Sequence, residues 1–254
     1  MMCSGSNGRT SSCSSSHSEV NNVKTIGLIG GMSWESSIEY YRIMNEMTKA
    51  KLGGLHSGKS IMVSVDFAEI EILQHQGRWA EAAEILMEAA KDLENGGADF
   101  IVLCTNTMHK VADELEASVK IPLLHIADAT AQRVKDSGIQ KIGLLGTRFT
   151  MEEEFYKGRL SRKYGLNVSI PNAAEREIVH RVIYEELVLG KIVPRSKEQY
   201  LGIMERMVDQ GAEGIILGCT EIGLLIHQED SEVPLFDTTR IHAEAAVEYA
   251  LRAE

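Results

Sequence analysis

The chain repeats itself at long range, and this constrains its fold more than any other feature. Lys24-Thr25-Ile26-Gly27-Leu28-Ile29-Gly30 resembles Lys141-Ile142-Gly143-Leu144-Leu145-Gly146. Gly97-Ala98-Asp99-Phe100-Ile101-Val102-Leu103 resembles Gly211-Ala212-Glu213-Gly214-Ile215-Ile216-Leu217, and Ile121-Pro122-Leu123-Leu124 resembles Val233-Pro234-Leu235-Phe236. The offset drifts only from 116 (Ile26 to Ile142) to 114 (Gly97 to Gly211) to 112 (Ile121 to Val233). One apolar string matches by chance in many proteins. Three in register at nearly constant spacing describe a supersecondary plan used twice.

Within the first copy, short apolar runs alternate with longer amphipathic ones. Thr25–Ile29 reads as a strand ending at Gly30-Gly31, and Ser36–Lys51 as a helix. Ile61–Phe67 alternates like a strand. Trp79–Glu94 has a helical apolar stripe closed by Asn95-Gly96-Gly97, and Phe100–Cys104 reads as a buried strand. This order predicts an α/β fold with parallel sheets and helices on both faces. Two such halves make two pseudo-symmetric parallel-sheet α/β domains. Ligands bind beyond the carboxyl ends of parallel strands, so the active site is expected in the cleft between the halves.

Bulk properties exclude several functions. The net charge of −11 argues against a nucleic-acid partner, which needs a basic face. No run is long and apolar enough to span a membrane. The four cysteines, Cys3, Cys13, Cys104 and Cys219, lack zinc-ligand spacing and do not form a secreted disulfide pattern, which points to a reducing, cytoplasmic setting and no metal. Residues 1–22 are rich in Ser, Gly and Asn and lack the apolar core of a secretory signal. They read as a disordered tail, with an organellar transit peptide as the second reading.

Two polar strings end apolar strands at matching places in the repeat. The first is Cys104-Thr105-Asn106-Thr107-Met108-His109 and the second Gly218-Cys219-Thr220-Glu221-Ile222. Small polar residues at a strand-to-helix turn present free backbone amides, which favour a carboxylate or a thiolate. A lone cysteine after a strand is more often a core thiol; the polar neighbours and the repeat argue for function here. Gly30-Gly31-Met32-Ser33-Trp34 ends another strand, but the spacing of Gly27, Gly30 and Gly31 does not make a dinucleotide fingerprint. His109, His125 and His242 fall in helix or strand contexts and read as structural.

Taken together, CTNTMH, GCTEI, GLIGGMSWES near the start and LFDTTRIHAEAA near the end resemble the aspartate/glutamate racemase family, over essentially all of residues 23–254. The resemblance implies two α/β domains with the C-terminal segment returning to the first: residues 23–121 plus 232–254, and 122–231. It implies a homodimer and a small amino-acid substrate. It also implies proton transfer between two facing residues, usually cysteines, without pyridoxal phosphate or any other cofactor. Cys219, Thr220 and Glu221 match the family's second motif.

The first motif departs from it. Typical members read Cys-Asn-Thr, and here Thr105 stands where their cysteine does. One residue at a strand end changes the face a side chain occupies, so Thr105 is the first candidate and Cys104 the alternative. The Thr-Asn-Thr form resembles a subgroup of broad-specificity amino-acid racemases acting on acidic substrates, so racemisation of L-glutamate and L-aspartate is expected. Met32, Gln74, Asn106, Thr107, Thr220 and Glu221 are the candidate substrate contacts, and Gln74 is placed to meet a side-chain carboxylate. The alternatives are a related reaction such as hydantoin racemisation, maleate isomerisation or malonate decarboxylation, and a non-catalytic amino-acid-binding protein.

Overall fold

A computed structural model describes residues 23–252; the serine-rich segment 1–22, with the tail and transit-peptide readings placed on it, lies outside the described residues. The first half runs β1 (Ile26–Gly30), α1 (Trp34–Leu52), β2 (Ser60–Ser64), α2 (Phe67–His75), α3 (Trp79–Asn95), β3 (Phe100–Leu103), α4 (Ala112–Ser118) and β4 (Leu123–Leu124). Then come α5 (Ile126–Asp136), β5 (Lys141–Gly146), α6 (Arg148–Glu152), α7 (Lys157–Tyr164), β6 (Asn167–Ser169) and α8 (Ala173–Glu185). The chain closes with α9 (Pro194–Asp209), β7 (Ile215–Gly218), β8 (Leu235–Asp237) and α10 (Thr238–Leu251).

The strands form two four-stranded sheets, ordered β2-β1-β3-β4 and β6-β5-β7-β8. Every pairing is parallel. The orders are the same when read by position in each half, as the repeat predicts. In register, Ile29 pairs with Leu103 and Leu145 with Leu217. Thr105 and Cys219 therefore stand two residues beyond equivalent positions of two central strands.

Alternation along β3 sorts its side chains between two cores. Ile101 and Leu103 pack with Leu86, Ala90 and Leu93 of α3. Phe100, Val102 and Cys104 pack on the other face with Tyr40 and Met44 of α1 and Ala243 and Val247 of α10. Side chains on a strand alternate between faces, so Cys104 simply continues the Phe100–Val102 row. Ala82, Ala83, Leu86, Ala89, Ala90 and Leu93 of α3 are all buried, a stripe of helical period facing the sheet. Each buried leucine there contributes roughly 1.5–3 kcal/mol.

Two local expectations change. Ile61–Phe67 does not continue as a strand: β2 ends at Ser64, and the Asp66 side chain accepts from the Ala68 amide to cap α2. An Asp one residue before a helix satisfies an otherwise unpaired N–H, and that stop signal lay inside the apparent alternation. The chain also crosses between halves later than expected. β4 belongs to the first sheet and β8 to the second, while Ile126, Ala127 and Val134 of α5 pack in the second core and α10 in the first. The strand pairing thus moves the expected boundaries of 121/122 and 231/232 to about Ile126 and Thr238.

Candidate active site

Gly31 lets the chain turn tightly after β1. Its φ is +95°, and a β-carbon there would lie 2.2 Å from the Val65 carbonyl oxygen, so only glycine fits. The turn delivers Met32 and Ser33 to the cleft. From the other half, the turn after β7 delivers Cys219 and Glu221. Met32, Gln74, Thr105, Thr107, Cys219 and Glu221 line one cavity, together with Phe67, Thr147, Ile183, Tyr184 and Val188. The cavity holds about 20 Å³, room for about one water.

Three pairs of side chains tie the halves together around this cavity by hydrogen bonds. Ser33 Oγ donates to Glu221 Oε1 at 2.9 Å. Thr107 Oγ1 and Thr147 Oγ1 share one at 3.0 Å. Tyr184 donates its hydroxyl to Gln74 Oε1 at 2.9 Å; burial pushes the Tyr184 phenol well up, so it stays a donor. These contacts close the cleft over the cavity.

Cys219 Sγ donates to Glu221 Oε2 at 2.8 Å. Burial, and then the adjacent Glu221 carboxyl, push the thiol well above its ordinary range. This corrects the expectation of a turn-stabilised thiolate. The motif opens only a 3₁₀ turn, Ile222–Leu224, too short for a substantial helix dipole, and burial dominates. Cys219 is held as a thiol with an acceptor in contact.

Thr105 is fixed from behind. His109 Nδ1 lies 2.7 Å from the Thr105 carbonyl oxygen, and His109 Nε2 accepts from the Ile126 amide at 3.2 Å. The second contact requires a bare Nε2, so Nδ1 carries the proton and donates. Burial holds His109 well below the usual histidine range, and His125 and His242 are lowered to about 3 and about 4 by burial. All three are neutral structural groups, with His242 bridging the Tyr40 hydroxyl and the Leu124 carbonyl.

The other sequence-derived residues divide. Asn106 is buried behind the cavity and donates to Thr238 Oγ1 at 3.0 Å, while its own side-chain oxygen has no partner. Thr238 spends its proton on the Leu217 carbonyl, which fixes the Asn106 amide with nitrogen towards Thr238. Thr220 faces α10, its carbonyl accepting from Thr239, and lines a separate open groove of about 450 Å³ that includes neither Thr105 nor Cys219. Glu221 uses both oxygens on protein groups. Cys104 is fully buried in the α1/α10 core, and burial pushes its thiol well up. Arg78, four residues after Gln74, is not among the candidates and is turned to Glu81 on the surface.

Sequence reasoning did not single out Thr147, Phe67, Ile183, Tyr184 or Val188. Thr147 was within reach: it follows Gly146 as Gly31 follows Gly30 in the repeat. The others sit on helical or loop faces that become cavity wall only when the halves meet.

Comparison with known proteins agrees with this architecture. Residues 29–246 match the family model described as Asp/Glu/Hydantoin racemase. A crystal structure described as a candidate Asp/Glu racemase from Yersinia pestis is 58% identical, with a TM-score of 0.84 over 90% of this chain and 100% of that one. An aspartate racemase homologue from Pyrococcus horikoshii is 37% identical, with a TM-score of 0.78 over the same shares. The broad specificity amino-acid racemase RacX of Bacillus subtilis is 23% identical over 66% of this chain and 71% of its own length.

Proposed function

We propose that the chain, which belongs to the Asp/Glu/hydantoin racemase family, is an amino-acid racemase that moves the α-proton of its substrate between Cys219 and Thr105 without a cofactor. The observation that carries this reading is positional. The two residues occupy equivalent places in the two halves and line the same cavity. A substrate between them meets one on each face of its α-carbon, as two-base racemisation requires.

When substrate is bound, the Cys219 proton passes to Glu221 Oε2, and the thiolate takes the α-proton. Thr107 and Thr147 donate to the α-carboxylate, where negative charge develops as the carbon loses its proton. Thr105 returns a proton to the opposite face, and the proton held on Glu221 passes through solvent to the Thr105 oxygen before the next turnover. The reverse direction asks a threonine hydroxyl to act as base, a much weaker one than a thiolate. The two directions therefore differ in kcat and KM separately, although an equilibrium constant of one keeps their kcat/KM equal. Glutamate and aspartate, which the motifs suggest, open the substrate panel.

We also read the chain as a cytoplasmic homodimer. Trp34, Ile38 and Tyr41 are exposed large apolar residues at helical spacing on α1, a face suited to a second copy. Among the described residues, no helix is long and apolar enough to cross a membrane, and Cys104 and Cys219 are free thiols.

The test is α-proton exchange followed by NMR in D2O, with both enantiomers of each amino acid and no added cofactor. Deuterium wash-in with formation of the opposite enantiomer, abolished in Cys219→Ser and strongly reduced in Thr105→Ala, is the expected result. Exchange that survives Cys219→Ser removes the two-base assignment.

A further inference from the structure

The cavity wall bears on the class of side chain the substrate carries, an inference that rests on the racemase reading above. We propose that this enzyme acts on amino acids with uncharged side chains, amide-tipped ones included, in preference to glutamate and aspartate.

Among the described residues, no lysine or arginine lines the cavity; the one charge-bearing group of acid or base type beside the reacting thiol is the carboxyl of Glu221. Both Glu221 oxygens already hold protein groups, Cys219 and Ser33. The nearby basic residues are turned outward to partners of their own: Lys110 to Glu153, Arg148 to Glu177 and Arg78 to Glu81. Once Thr107 and Thr147 meet the α-carboxylate, the remaining wall is Phe67, Ile183 and Val188 with Gln74 and Tyr184.

Gln74 decides what polar tip this wall accepts. Its oxygen takes the Tyr184 hydroxyl, and its amide nitrogen points at Met108 Sδ, 3.0 Å away. Met108 lies in the core behind the cavity wall; a thioether is a weak acceptor, so turning this neutral N–H from it to a substrate carbonyl costs little. One neutral donor suffices for an amide carbonyl. It does not replace the water lost by both oxygens of a carboxylate, which needs a cation or several charge-assisted bonds.

Two substrate pairs isolate charge from shape: L-glutamine against L-glutamate, and L-asparagine against L-aspartate. L-lysine tests the opposite charge. The measurement is kcat/KM for α-proton exchange in D2O. Glutamine is expected to exceed glutamate about 100-fold, or about 2.7 kcal/mol at 1.36 kcal/mol per tenfold. Gln74→Arg is expected to narrow that gap at least tenfold. A preference for glutamine below tenfold, or faster exchange with glutamate or lysine, overturns the proposal. If no amino acid exchanges, the racemase reading fails. Ligand-induced shifts in the melting temperature of the wild-type protein then decide this one: stabilisation by glutamine but not glutamate supports it, and any other pattern overturns it.

Discussion

Cys219 and Ser33, from opposite halves of the molecule, hold the same carboxyl group: the thiol donates to Glu221 Oε2 and the serine hydroxyl to Glu221 Oε1. The acceptor for the thiol proton is thereby fixed by closure of the cleft.

Glu221→Gln separates this role from simple packing. Removing the carboxyl removes its repulsion of the thiolate, so the Cys219 pKa falls and the pH midpoint for alkylation by iodoacetamide moves down. Turnover nonetheless drops about 100-fold, the scale of losing a positioned proton acceptor. An unchanged alkylation profile would show that Glu221 does not act on the thiol.

The two described cysteines differ sharply in expected sensitivity. Cys104→Ala leaves exchange within about twofold and costs about 1 kcal/mol of stability, the scale of deleting one buried heavy atom. Cys219→Ala abolishes exchange at a similar cost in stability, about 1 kcal/mol, because Cys219 too is buried. Activity assays beside urea denaturation test both, and inactivity of a stably folded Cys104→Ala protein would return Cys104 to the mechanism.

Tyr184→Phe loosens the cleft. The variant loses the hydrogen bond to Gln74, worth about 1 kcal/mol net, and opening becomes correspondingly easier. Alkylation of Cys219, which requires opening, is expected to accelerate about fivefold. Equal rates in the two proteins would mean that this contact does not hold the halves closed.

The buried histidines make the protein acid-labile. His125 and His242 are lowered to about 3 and about 4, against about 6.5 in an unfolded chain. Below pH about 6.5 the unfolded chain binds protons that the folded one refuses. Stability that is complete above that pH is lost as pH falls towards 4, by about 1.4 kcal/mol per pH unit for each histidine. Asp237, whose carboxyl burial pushes up, takes up its proton in the folded state and offsets part of this. His125 caps α5 by accepting from the Ala127 amide, and asparagine serves the same purpose. His125→Asn should therefore keep the helix and flatten the loss by one histidine's share. Denaturant midpoints from pH 7 to 4.5 measure this, and parallel curves for the two proteins would refute the assignment.

The sequence by itself determined the repeat, the parallel α/β plan and the placement of Thr105 and Cys219 just beyond two equivalent strands. These depend on local periodicity, and period-2 alternation already separates Cys104 from Thr105. The extent of β2 was misread because Asp66 caps a helix inside an apparently alternating run. Tertiary structure alone decided what crosses the cleft: that Ser33 bonds Glu221, that Tyr184 bonds Gln74, and that Phe67, Ile183 and Val188 make a wall without a lysine or arginine. Such contacts join residues as far apart as 188 positions, Ser33 to Glu221. They depend on how two independently built sheets are set against each other, which no local pattern encodes.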